Sequence, residues 1–392
     1  MARTALITSI ALAVLTACST IAPQQATVDQ HVHEAQSLAG DDLKFLLPVC
    51  NPQPAVRAAP SPAMDEMLAK LIQQTPPAPG QAFDNLYYVG SAWVSAWVLK
   101  TSDGLILIDA LNNAQEATEL VEGGMRRLGL DPAQIRYVLV THGHGDHYGG
   151  AQMLADRYHA RVVASEIDWK MMETTLEFDS RLWDRPPRRD IAVRDGDTLT
   201  LGDTTVRFVI TPGHTLGTIT PVFEVRDKGQ KHTAMIWGGT AFNFGRDMAR
   251  LDSYIAQTER MRQLSAQWGI DVPLSNHPGY DGTVAKLKAT AAVPTGPNPF
   301  VSGQPVVDRA MRVLNACARA QKARFLLTAD SGAGNETGVA TATSDAHTDH
   351  DEHLLDGSLL ALGQGLDAAP VAFPRLAAAA GLAGSPTHPL EN

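Results

Sequence analysis

Thr141-His142-Gly143-His144-Gly145-Asp146-His147 follows directly on the apolar run Tyr137-Val138-Leu139-Val140. A short apolar run of this kind reads as a buried strand, so three histidines and an aspartate sit on the loop that leaves it. Histidines two apart at the end of an extended segment both turn onto one metal ion, while the Asp and the next His reach a neighbouring point. The spacing points to two adjacent metals rather than one.

Each zinc takes about four ligands, more than this loop supplies for two, so single histidines on later loops become candidates. In Thr211-Pro212-Gly213-His214-Thr215 the Pro-Gly turn projects His214 out of the end of a strand. Leu274-Ser275-Asn276-His277-Pro278-Gly279 does the same for His277. His159 ends a helix and reads as its C-terminal cap, and His232 falls in a turn where solvent is expected. His31 and His33 belong to an N-terminal arm, and His347, His350 and His353 to an acidic, solvated tail.

Strands and helices alternate on both sides of the histidine loop. Strands are expected at 86–89, 94–99, 105–108, 161–164, 198–201, 205–210, 220–225 and 233–237. Helices are expected at about 115–128, 150–158, 251–268, 281–292 and 304–322. The pattern describes an α/β layered domain over residues 76–326. Residues 18–75, rich in Pro, Ala and Gln with one short helix around Met64 to Gln73, read as a disordered tether that becomes an arm. Residues 327–392 lack any sustained period and read as a mostly disordered tail.

The formal charge of -10 is concentrated in that tail, where nine acidic residues from Thr328 onward face the single basic Arg375. No Lys/Arg cluster interleaves with aromatics, which argues against a nucleic-acid partner. Residues 1–17 have the form of an export signal, with Arg3 ahead of a short apolar run. Leu15-Thr16-Ala17-Cys18 resembles the lipobox of bacterial lipoproteins. That resemblance implies lipidation of Cys18 as the sole membrane attachment and, with Ser19 following, a periplasmic location tethered to the outer membrane. Cys50 and Cys317 remain. A bridge between them is worth roughly 4 to 5 kcal/mol by chain entropy, and two separate buried thiols fit the sequence equally well.

Asp84-Asn85-Leu86-Tyr87-Tyr88-Val89-Gly90, Leu105-Ile106-Leu107-Ile108-Asp109, the histidine loop with Gly149-Gly150, Val163-Ala164-Ser165-Glu166 and Thr211-Pro212-Gly213-His214-Thr215 together resemble the metallo-beta-lactamase superfamily over most of residues 84–323. The resemblance is strongest to the third subclass of the class B beta-lactamases. It implies an αββα four-layer sandwich with the metal site in a groove at one edge of the two sheets. By motif, His142, His144 and His214 would bind a first Zn2+, and Asp146, His147 and His277 a second. The superfamily's lactonases and glyoxalase-type thioesterases add an Asp that bridges both metals. Gly239, in Gly238-Gly239-Thr240-Ala241-Phe242, stands at that position, and Asp247 lies too far along the chain to replace it.

The implied activity is an exported zinc hydrolase of small-molecule substrates. It would open beta-lactam rings by attack of a zinc-bound hydroxide that Asp146 orients as the catalytic residue. A lactonase or other ester hydrolase is the alternative, and Gly239 counts against it. A non-catalytic zinc-binding lipoprotein is a third, against which Asp146 and an open metal position count. Trp93 and Trp97 are candidates either for an apolar wall beside the metals or for the sheet core. Asn276, Tyr280 and Thr240 lie near the ligand-bearing turns without an assigned role.

Overall fold

The computed structural model describes residues 23–333. The export segment, Cys18 and the tail from residue 334, with His347, His350 and His353, lie outside the described residues. Two helices come first, α1 (Pro23–Ala39) and α2 (Pro62–Ile72). The first sheet then runs in sequence order through β1 (Gly80–Phe83), β2 (Leu86–Tyr88), β3 (Trp97–Thr101), β4 (Gly104–Ile108), β5 (Ile135–Leu139), β6 (Arg161–Ser165) and β7 (Ile191–Val193).

β1 to β4 pair antiparallel, each with the next. From β4 to β7 the pairing is parallel, and each crossover carries helix. α3 (Ala114–Glu116) and α4 (Gly123–Arg127) flank a π-helical stretch, Ala117–Glu122, so the single helix expected at 115–128 is one rod with a wide turn in its middle. α5 (Gly145–Tyr148), α6 (Ala151–Tyr158) and α7 (Glu166–Thr174) fill the next two crossovers.

The second sheet contains β8 (Thr198–Leu201), β9 (Thr204–Ile210), β10 (Ile219–Asp227), β11 (Gln230–Trp237) and β12 (Ile270–Ser275), in spatial order β12-β11-β10-β9-β8. α8 (Met248–Trp268), α9 (Thr283–Ala292) and α10 (Gln304–Ala333) complete the chain. None of the described helices is long and apolar enough to cross a membrane.

Three apolar cores define four layers. Between the sheets, Leu86, Tyr88, Leu99, Ile106 and Leu139 meet Val206, Phe208, Phe223, Ile236 and Val272. The outer face of the first sheet, with Val98, Leu107, Val138 and Val162, packs on Val121, Met125 and Leu154. The outer face of the second, with Val209, Val222 and Met235, packs on Leu251, Met261, Met311 and Leu314. The C-terminal part of β5, Val138 and Leu139, and β6 from Val162 on are buried on both faces, as parallel strands covered by helices tend to be. In β9, Val206 and Phe208 point in while Thr205 and Arg207 point out. The result is a helix–sheet–sheet–helix sandwich.

The N-terminal arm holds more structure than the single helix around residue 64. From Pro23 on, α1 lies along α10, burying Val28, Ala35 and Ala39. Leu43, Leu46, Val49 and Cys50 continue the same core. The face is built from small residues spaced at helical intervals, a weak apolar signal that nonetheless allows close approach to the alanine-rich face of α10. Glu34 pairs with Arg319 at 2.7 Å, and Asp42 with Arg309. Cys50 and Cys317 form a disulfide, which settles the alternative left open by the sequence. α10 also runs on to Ala333, beyond the boundary at 326.

Candidate metal centre

The centre forms where loops from both sheets meet. β4 ends at Asp109, which adopts φ 62°, a left-handed conformation uncommon for a residue with a side chain. That turn aims its buried carboxylate across the mouth of β5. Oδ1 accepts Thr141 N at 2.8 Å, and Oδ2 accepts Thr141 Oγ1 at 2.9 Å and His147 Nδ1 at 2.8 Å. Asp168 of α7 secures the next stretch by accepting Gly143 N at 2.8 Å, Thr215 Oγ1 at 2.8 Å and Gly217 N at 3.0 Å. Gly145 begins α5 against the Trp183 ring, and a Cβ there would fall 2.4 Å from it. Only glycine lets the loop pass so close.

All six sequence candidates come together. His142 Nε2, His144 Nδ1 and His214 Nε2 stand 3.1 Å from one another. Beside them, His147 Nε2 lies 3.2 Å from His277 Nε2 and 3.3 Å from Asp146 Oδ2, with His277 Nε2 to Asp146 Oδ2 at 3.7 Å. His142, His144, Asp146, His147 and His214 are buried, and His277 is half-buried at the opening. His142 also groups with Asp146 and His147, so the two clusters share a wall.

The hydrogen bonds around the rings decide which nitrogens are free. His214 Nδ1 donates to Ala241 O at 2.8 Å, His277 Nδ1 to Trp93 O at 2.7 Å and His147 Nδ1 to Asp109. Asn276 Nδ2 spends its protons on Gly238 O and Thr141 Oγ1, leaving His142 Nδ1 to donate to Thr141 Oγ1 at 3.4 Å. His144 Nε2 faces Glu177 Oε2 at 3.4 Å. In its neutral form each ring therefore turns a lone pair inward. Three neutral nitrogens pointing at one centre repel unless a cation sits among them, and outward N–H groups anchored on oxygens are the usual support of metal-binding histidines.

Electrostatics agree with that division. Burial, reinforced by neighbouring imidazoles, holds His142 and His214 well below the usual histidine range. Burial and the charge of His147 bring His277 down to about 4. Burial acts against His147 as well, but the carboxylates of Asp146 and Asp109 outweigh it and raise the ring to about 10. For Asp146 burial alone would raise the carboxyl, and His147 and His277 reverse this and keep it ionised. The donors thus include three rings that burial holds neutral, His142, His214 and His277, and an ionised carboxylate, with His147 beside two anions that favour positive charge. This is a divalent metal site.

Other expectations are redrawn. Trp97 is no wall of the centre: it points between the sheets, edge-on to Tyr88 at 5.0 Å and Phe300 at 6.0 Å. Trp93 does stand beside it, its ring 5.8 Å from His277. His232 is not a solvent-facing turn residue; its Nδ1 meets Asp271 Oδ2 at 2.6 Å and ties β11 to β12. His159 does cap α6, at φ 57°. Asp168, Glu177 and Arg250 had no sequence signal at all. Asp109 had a weak one, as the acidic residue ending an apolar strand.

Residues 94–227 match the family described as Metallo-beta-lactamase superfamily. The domain belongs to this superfamily. Hydroxyacylglutathione hydrolase of Acidiphilium cryptum (strain JF-5) is 33% identical over 150 residues, 38% of this chain and 50% of that protein. The chain thus spans about half the length of that curated relative. Among solved structures, BJP-1, a subclass B3 metallo-beta-lactamase of Bradyrhizobium japonicum, superposes with TM-score 0.55 at 28% identity, covering 68% of this chain and 100% of that one. FEZ-1 metallo-beta-lactamase from Legionella gormanii superposes with TM-score 0.54 at 21% identity, over 67% and 98% of the two chains, a likeness of fold. The four-layer sandwich is the metallo-beta-lactamase fold, shared with the subclass B3 enzyme BJP-1 over the whole of that chain.

Proposed function

We propose that the protein is a zinc-dependent beta-lactamase holding two Zn2+ per chain, the first on His142, His144 and His214 and the second on Asp146, His147 and His277. The observation that carries the beta-lactam over the thioester or lactone reading is the packing at Gly239. A Cβ there would lie 2.4 Å from His214 Cβ and 2.9 Å from its Cγ, which leaves no room for a bridging carboxylate beside an undisplaced His214. Bound zinc would lower the pKa of water toward neutrality and polarise the scissile carbonyl.

The chain's own groups do the rest. Asp146, ionised and between His147 and His277, is placed to orient the attacking water and accept its proton. Trp93 and Tyr280 flank His277 at the half-buried end, with the Tyr280 ring 6.1 Å from it, and form the apolar side of a substrate groove. The export segment and Cys18 support placing the enzyme in the periplasm, lipid-anchored to the outer membrane, where beta-lactams meet their targets.

A hydrolase of glutathione thioesters is the second reading, favoured by the identity to hydroxyacylglutathione hydrolases. Steady-state turnover of a carbapenem, a cephalosporin, an acyl lactone and a glutathione thioester, with and without chelator, separates the two. Chelator-sensitive carbapenem or cephalosporin hydrolysis is expected. Turnover of thioester or lactone alone would replace the proposal with the second reading, and no turnover of any substrate would remove both. Two zincs per chain, falling to about one in His277→Ala, are expected by metal analysis.

A further inference from the structure

We propose that Glu177 and Arg250 form a positioning pair that fixes His144 in the tautomer presenting Nδ1 to the metal and locks it to His214. The inference rests on the zinc reading above. His142, His147, His214 and His277 all present Nε2 and anchor Nδ1 on an oxygen. His144 is reversed: its Nδ1 stands 3.1 Å from the Nε2 atoms of His142 and His214. Its Nε2–H therefore needs an acceptor on the far side, and Glu177 Oε2 is the polar atom there, at 3.4 Å. The Phe178 ring packs edge-on against the imidazole at 4.9 Å, which limits tilting and offers no acceptor of its own.

Arg250, at the start of α8, joins this arrangement to the other sheet. Its buried guanidinium donates to Glu177 Oε2 at 2.8 Å, to Gly213 O at 2.6 Å and to His214 O, and it stacks 4.7 Å from the centre of the Phe244 ring. Asp247 Oδ1 accepts Arg250 N at 2.9 Å, which fixes the base of the side chain. His144 leaves the first sheet and His214 the second, so one planar cation sets the separation of two ligands on different sheets. A guanidinium suits this task because its fork of donors reaches a carboxylate and two carbonyls together. A generic ion pair would need neither the His144 contact nor the two carbonyls.

The test measures zinc affinity of the full chain by competition with a chromophoric chelator, alongside thermal unfolding of the metal-free protein. In Glu177→Leu, one of the two zincs is expected to weaken roughly 10- to 100-fold, the range for loss of a histidine's outer support. Glu177→Gln, whose amide oxygen still accepts from Nε2–H, is expected to recover most of that loss. Arg250→Lys keeps the charge without the fork and is expected to weaken the same zinc several-fold with little change in unfolding temperature. Unchanged affinity in Glu177→Leu overturns the pair, as does equal loss in the Leu and Gln variants, which would assign the effect to charge alone. If Glu177→Leu fails to fold, unchanged affinity in Arg250→Lys overturns it. A parent chain that binds no zinc removes the zinc reading as well, whereas a parent that binds while both variants match it removes only the positioning pair.

Discussion

Replacing Asp109 with Asn changes one atom and reverses the proton logic of the cluster of Asp146, His147 and His277. The two Asp109 oxygens accept three donors, Thr141 N, Thr141 Oγ1 and His147 Nδ1, at 2.8 to 2.9 Å. An amide keeps one oxygen, which suits Thr141 N, and sets an NH2 against His147 Nδ1–H and Thr141 Oγ1–H. His147 can answer only by moving its proton to Nε2, which then points at His277 Nε2 and Asp146 Oδ2 in place of a lone pair. Loss of an outer-shell carboxylate lowers metal affinity by roughly 10- to 100-fold, about 1.4 to 2.8 kcal/mol. A buried donor left without a partner adds about 1 to 3 kcal/mol of lost folding stability. Chelator competition on the Asp109→Asn chain reads the first quantity, and denaturant unfolding of the metal-free protein the second. Zinc affinity within about twofold of the parent, whatever the stability, would refute the tautomer argument and leave Asp109 as a clasp for the loop.

Removing the disulfide with Cys50→Ala is expected to cost about 2 to 5 kcal/mol, seen as a lower denaturant midpoint under non-reducing conditions, with the parent falling to the same midpoint once reduced. Gly239→Ala forces a methyl against His214 and is expected to lower zinc occupancy and turnover together; full occupancy in metal analysis would show that the loop gives way freely. Burial raises the carboxyl of Glu116 above its ordinary range, against hydrogen bonds from Asn112. Its stabilising contribution is therefore complete below pH 4.5 and is lost as pH rises through the raised value. Glu116→Gln, whose single carbonyl oxygen can accept both Asn112 donors, is expected to be more stable than the parent at pH 7, with the difference closing toward pH 4. Unfolding of both metal-free proteins at the two pH values checks the sign.

The histidine loop was legible because its chemistry is local: one strand end carries four of the six converging side chains. His214 and His277 could be found because each follows a strand and rides a Pro-containing turn, a short-range pattern. Asp168, Glu177 and Arg250 were hidden because nothing near them in sequence shows where they point; Arg250 meets Glu177 across 73 positions. The place of Trp97 between the sheets was ambiguous for a similar reason. Tyr88 and Phe300, which enclose it, come from opposite ends of the domain. α1 was missed because alanine buried on an alanine-rich helix looks, in sequence, like alanine in a linker.

The bridge between Cys50 and Cys317 closes 267 positions of chain into one covalent ring that contains both sheets and all six converging side chains. A protease that cuts once anywhere inside that ring opens it without releasing a piece. The four converging side chains that leave the first sheet and the two that leave the second stay on a single molecule and find each other again at intramolecular concentration.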